Sequence, residues 1–357
     1  MYSAWIILIT TLLFAIPFAL FPASKSYAWM YTSSVTAMLI IAYHTRTAHH
    51  HRKRAAPVNM RVLALSVAVF ALLYNYADTT ALRERALTRE GLLNFSETRS
   101  QFTSIQLRMV GISIAAYMLA RYYIHRTTKP LILGLSIAIY LFIESGTRWY
   151  LLLAVAPLVI LFPGTTKLPV QIFAAGIFAS TLTVFAAIRS GGAISSLQEI
   201  LTWDIPSIQS YAVITTRTGN LSGIVDFING NILSLVPRFV WPSKPEDIVT
   251  REFMTNAIGD AYYQGATILP GFLGSAWLYA GGWGGVLFAP LLAISLRKSE
   301  KEAHSTKSAL RLAIASLIGI GAALQLRNIS VMYFAPAIYL ILLSALKRLS
   351  KAIKKAI

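Results

Sequence analysis

Nine consecutive residues, Pro237-Arg238-Phe239-Val240-Trp241-Pro242-Ser243-Lys244-Pro245, set two cations in a frame of three prolines. Proline fixes its own φ and pushes the residue before it towards an extended conformation, so the run predicts a rigid path that aims Arg238 and Lys244. A guanidinium is a planar fork matched to phosphate oxygens, and an ammonium adds a point charge. Together with Arg217 the pair suits a diphosphate near a membrane surface, or equally the phosphates of surrounding lipid headgroups. The segment Glu252–Gly265 follows at once, and its carboxylates Glu252 and Asp260 are candidates for the general base of a transfer reaction. Spacing does not rank them against Glu144 and Asp226, and ion pairing with Arg251 or helix capping is the ordinary fate of any one of them.

Three more arginines stand at or near apolar runs: Arg108, Arg148 and Arg327. A cation at membrane depth costs a few kcal/mol unless it is paired or faces a polar cavity, which makes each a candidate ligand-binding group. Snorkelling to headgroups serves Arg108 and Arg327 equally well. Arg148 has Gly146 to allow a tight turn and Glu144 as a partner. Metal or histidine chemistry is not expected. There is no cysteine, and of the six histidines the run His49-His50-His51 sits beside Arg52-Lys53-Arg54, whose charge opposes a metal.

The elements that must hold these residues are read from apolar length. Only 13% of the 357 residues are charged against 56% hydrophobic, where a soluble domain carries roughly 25% charged residues. Apolar runs near 4–22, 27–43, 62–77, 105–123, 169–188, 272–296, 310–326 and 331–346 are each long enough to cross a bilayer core. Shorter runs at 131–143 and 151–162 either cross or form a re-entrant hairpin. The expectation is an all-α polytopic membrane protein with about ten transmembrane helices, one integral membrane domain over 1–357. No Lys or Arg precedes Lys25, so residues 1–23 lack the basic start of a secretory signal and are expected to stay as the first span.

Charge orients the spans. The segments 44–61, 121–129, 163–168, 297–311 and 347–357 hold 19 of the 32 basic residues and only Glu300 and Glu302 among the acids. Basic short loops are retained in the cytoplasm, which puts both termini there and all six histidines with them. The net charge of +18 is then a topology signal that calls for anionic lipid and not for nucleic acid. Two segments fall on the opposite side: 78–104, mixed in charge, and the large loop 189–271. Proline punctuates the large loop, and its short apolar fragments predict amphipathic helices lying at the interface. The run Gly271–Gly285, dense in glycine and aromatics, predicts close helix packing or, less readily, a groove for a lipid chain.

Ten spans, a large external loop late in the chain, the step Gly146-Thr147-Arg148, the Pro237–Pro245 string and the glycine-aromatic span together resemble the Wzy-type O-antigen and exopolysaccharide repeat-unit polymerases. The likeness is carried by roughly residues 140–290. It implies a GT-C-like glycosyltransferase of the bacterial inner membrane, acting on the periplasmic face without a cofactor or an obligatory metal. The donor and acceptor would both be undecaprenyl-diphosphate-linked glycans, the growing chain moving en bloc to a new unit, with a chain-length regulator as a further partner. On that reading Arg148, Arg217, Arg238, Lys244 and Arg327 bind the donor diphosphate, and Glu252 or Asp260 deprotonates the acceptor hydroxyl. One departure is that many relatives carry glutamate after the glycine that opens the aromatic span, where this chain has Ser275. A related ligase and a lipid-linked oligosaccharide flippase are the competing readings. Such ligases usually carry a histidine in the large outer loop, which is absent here, and transporters gather polar residues at the midplane of their spans.

Overall fold

The computed structural model describes residues 2–21, 24–44, 101–145, 148–165, 206–217, 219, 221, 223–232 and 270–356. Among them the secondary structure is helical, with no strand. The chain forms two compact units, each assembled from separated stretches.

The first unit takes in residues 1–49, 177–297 and 322–332. Helices α1 (Tyr2–Leu20) and α2 (Lys25–His44) form a hairpin. The Tyr27 hydroxyl donates to the Phe14 carbonyl at 2.8 Å, and the Phe18 ring meets the Tyr27 and Tyr31 rings edge-on. The unit also contains α7 (Pro206–Thr216), α8 (Gly223–Phe227) with a π turn at Ile228–Ile232, α9 (Gly271–Ala280), the leading part of α10 (Gly284–Ser305) and the stretch 322–332. Helix α7 holds Tyr211–Ile214, one of the fragments expected at the interface. It buries Ser207, Ser210, Val213 and Ile214, one stripe at helical spacing, and Ser210 and Val213 lie against Gly274 of α9. An apolar stripe that finds a helix to cover it has no need of headgroups.

Two glycines shape α9. Gly271 opens it at φ 68°, and Gly281 closes it at φ 55°, a conformation in which a Cβ is strained. A 3-10 turn, Gly281–Trp283, then divides α9 from α10. From that break onward α10 follows α2 in parallel. Trp29 Nε1 donates to the Gly282 carbonyl at 2.8 Å, Gly285 lies over the hydroxyls of Ser33 and Ser34, and an Arg297 guanidinium nitrogen reaches the Ala42 carbonyl at 3.3 Å. The glycines of this run therefore serve close packing, the small-residue device of membrane helices.

The second unit comprises residues 50–176, 298–321 and 333–357. Helices α3 (Gln101–His125) and α4 (Thr128–Ser145) are antiparallel, Gly111 facing Leu141 and Gly134 facing Leu119 and Ala115. Leu119, Tyr122, Leu131 and Leu135 form a core on which Val155 and Leu158 pack. The short run at 151–162 is split into α5 (Arg148–Ala154) and α6 (Ala156–Thr165), since Pro157 has no N–H to donate. Helices α11 (Ala309–Leu324, most of it in this unit) and α12 (Ala335–Ala356) finish the chain. Ser113 Oγ bonds the Pro336 carbonyl at 3.0 Å, and the Trp149 ring meets Tyr333 edge-on.

Among the described residues three helical stretches are long and apolar enough to cross a membrane: Ser3–Leu20, Gly271–Ser305 and Val331–Ser350. Thr128–Phe142 and Ala309–Leu324 are apolar but shorter. Helices α2 and α3 have the length, at 20 and 25 residues, but polar and charged residues dilute them. The expected runs 62–77 and 169–188, the segment 78–100 and most of the loop 189–271 lie outside the described residues. Membrane-spanning character is thus visible in three helices, and the all-α expectation holds throughout the described residues.

Candidate functional site

Helix α9 gathers the described candidates of the first unit. At one end, the chain leaving α11 turns through Gln325–Ser330. The Leu326 carbonyl of that turn accepts the Phe272 N–H at 3.2 Å, one of the amide groups that a helix start leaves without an intrahelical partner. Ser275 Oγ, on a residue 2% exposed, accepts the Ile329 N–H at 3.3 Å. Arg327 stands in this turn with its side chain exposed. Further along α9, Trp277 Nε1 donates to the Arg217 carbonyl at 2.8 Å. Arg217 is the residue just past α7, and its side chain is exposed as well.

Both cations follow the C-terminal end of a helix, where a positive charge interacts favourably with the exposed carbonyls by about 0.3–1 kcal/mol. That structural use leaves the guanidinium heads free to meet an anion from solvent. Helix α9 holds the two backbones that carry them about a turn and a half apart, counted from Phe272 to Trp277.

A polar network underlies the Arg327 turn. The Gln325 side-chain amide pairs with the Ser330 peptide in both directions: Nε2 donates to the carbonyl at 2.8 Å, and Oε1 accepts the N–H at 2.7 Å. Asn231 Oδ1 accepts the Val331 N–H at 3.3 Å, while its Nδ2 donates to the Tyr279 hydroxyl at 3.1 Å. Asn231 and Gln325 are both 6% exposed, so their amides are bonded away from water. Neither residue stands out as a functional candidate in the sequence. The sequence signal is slight: Gln325 interrupts an apolar run, and Asn231 stands beside Gly230 and Asn229.

The other expected site residues divide as follows. Arg148 is the first residue of α5 and belongs to the second unit. Arg238, Lys244, Glu252 and Asp260 lie outside the described residues. The segment that carries them, 233–269, leaves and re-enters the described structure beside α9. Asn231 at its start bonds Tyr279, and the Pro270 carbonyl at its end accepts the Ser210 hydroxyl at 2.9 Å. Asp226 is half-buried in α8, and Glu144 is in the last turn of α4. Among the described residues no cluster of His, Asp or Glu has a metal-binding arrangement.

No protein-family model, curated protein or solved structure matches the chain.

Proposed function

We propose that this chain is a polytopic glycosyltransferase of Wzy type that polymerises undecaprenyl-diphosphate-linked oligosaccharide units at the periplasmic face of the bacterial inner membrane. The growing chain is transferred en bloc from its lipid diphosphate to a hydroxyl of a new lipid-linked unit. The bond broken is the one between the anomeric carbon and the diphosphate; the bond formed is glycosidic, and the acceptor proton passes to a carboxylate. Arg148, Arg217, Arg238, Lys244 and Arg327 are the candidates to bind the departing diphosphate and stabilise its charge. Glu252 or Asp260 takes the proton.

The observation that carries this reading is the convergence on α9. Arg217 and Arg327 are tied to it through their own or neighbouring backbone, and Asn231, which precedes the segment bearing Arg238, Lys244, Glu252 and Asp260, bonds Tyr279 on it. The topology of about ten spans with both termini cytoplasmic rests on the distribution of basic residues. It agrees in parity with the parallel run of α2 and α10, which requires an odd number of crossings between them.

The test is a deletion strain complemented with Arg238→Ala. Long polysaccharide should disappear while single repeat units persist on the lipid or the core. Normal chain lengths would remove Arg238 from the phosphate site. Purified chain supplied with a synthetic lipid-linked repeat unit should form polymer, an outcome that neither a ligase nor a flippase produces.

A further inference from the structure

Backbone amides 325 to 331 of the Arg327 turn are held almost one by one. Those of Gln325, Leu326 and Arg327 donate to the Ala322, Ala323 and Leu324 carbonyls at 3.0–3.2 Å. Those of Ile329, Ser330 and Val331 donate to three buried side chains, Ser275, Gln325 and Asn231. These peptides lie beyond the end of α11, where no helix carbonyl remains for their N–H groups, and a buried donor left unbonded costs about 1–3 kcal/mol. Ser275, Gln325 and Asn231 supply the three acceptors. What the arrangement provides is a turn with one fixed backbone path, from which a single exposed guanidinium projects.

We propose that Asn231, Ser275 and Gln325 are positioning residues that preorganise Arg327 for a diphosphate, an inference that rests on the reading of this site given above. Asn231 also links the turn to α9, its Oδ1 accepting the Val331 N–H and its Nδ2 donating to the Tyr279 hydroxyl. With the backbone of the turn already fixed, only the Arg327 side chain has to be ordered when the ligand arrives, which is how residues that never touch a ligand raise its affinity.

A double-mutant cycle separates positioning from folding. The full chain is placed in phosphatidylcholine nanodiscs, and equilibrium binding of undecaprenyl diphosphate is measured for wild type, Arg327→Ala, Asn231→Ala and the double variant. Loss of one charge-assisted contact should weaken binding by about 10-fold or more in Arg327→Ala. Asn231→Ala should weaken it about 5-fold in the wild-type background and less than about 2-fold when Arg327 is already gone, because a residue acting through Arg327 has nothing left to act on. Asn231→Asp, which keeps an acceptor for the Val331 N–H, should recover part of the loss. If Asn231→Ala is not monodisperse, Gln325→Ala runs the same cycle on the same turn. Equal losses in both backgrounds, or no loss in Asn231→Ala while Arg327→Ala is impaired, overturn the positioning role and leave the diphosphate site standing. Wild-type affinity in Arg327→Ala, or no binding by wild type, overturns the site and the positioning role together.

Discussion

Replacing Trp277 with phenylalanine keeps most of the ring's apolar area and deletes only the indole N–H that meets the Arg217 carbonyl at 2.8 Å. That carbonyl follows the last turn of α7 and is one of the acceptors a helix end leaves without an intrahelical partner. The lost bond should cost about 0.5–1.5 kcal/mol, towards the low end because the contact is exposed to solvent. Trp277→Phe should therefore lower the midpoint of thermal unfolding in detergent by a few degrees, and Trp277→Ala by more. An unchanged midpoint for the phenylalanine variant would mean that Arg217 is held by something other than this indole. At this scale the sequence is readable where charge is involved. Arg327 stands out because a cation beside an apolar run is costly, and Arg217 because it is a phosphate-matching cation of the loop that carries Arg238 and Lys244, whereas Asn231 and Gln325 are neutral and blend in. The roles of Asn231 and Ser275 depend on partners remote in sequence, Asn231 and Val331 being 100 residues apart and Ser275 and Ile329 54 apart. No local spacing encodes such pairs.

Element packing turns on where a Cβ has room. At Gly284 a Cβ would run into the Ala276 carbonyl, a backbone atom that cannot swing aside, while at Gly282 the nearest atoms are those of the Trp29 ring, at 3.5 Å and 3.7 Å. Gly284→Ala should cost about 1–3 kcal/mol through overpacking, and Gly282→Ala should leave thermal stability within about 0.5 kcal/mol. Indistinguishable melting of the two variants would show that the α9–α10 break is not packed this way. The glycine-rich run was legible as a packing device, since small residues in an apolar stretch have that use in membranes. Its division into two helices was less so: a mean over 272–296 describes one apolar run, and only the positive φ at Gly281 reveals that the backbone leaves the helix there. In α7 the reading concerns what covers an apolar face. Tyr211–Ile214 reads as interfacial because its apolar residues face one way, and one-sidedness does not say whether lipid or α9 covers that side. Where Phe21 stacks on Tyr211 at 5.1 Å and Tyr27 meets it edge-on at 5.3 Å, protein supplies the cover.

For the whole molecule, hydropathy counts more spans than the described helices display, and the reason is physical. A run of 16 residues such as α11 rises about 24 Å, short of a core about 30 Å thick, so it crosses only with flanking residues or a locally thinned bilayer. Gly271–Ser305, at 35 residues, is longer than one crossing needs, but the apolar part of α10 ends at Leu296, before Arg297, so α9 has to contribute to the crossing. Orientation is independent of that count, because it rests on 19 of 32 basic residues falling in five segments that alternate along the chain. The absence of cysteine makes it directly testable, since any thiol introduced is the only one present. Ser305→Cys ends α10 with an exposed side chain in a basic segment, and Ser96→Cys falls in the segment 78–104. In intact spheroplasts a membrane-impermeant maleimide should label Ser96→Cys and spare Ser305→Cys, which should react only after lysis. The reverse pattern would turn the α9 site towards the cytoplasm, away from the face where lipid-linked units are polymerised in the function proposed here. Labelling of both in intact cells would mean that an even number of crossings separates residues 96 and 305, which the parity of the proposed topology forbids.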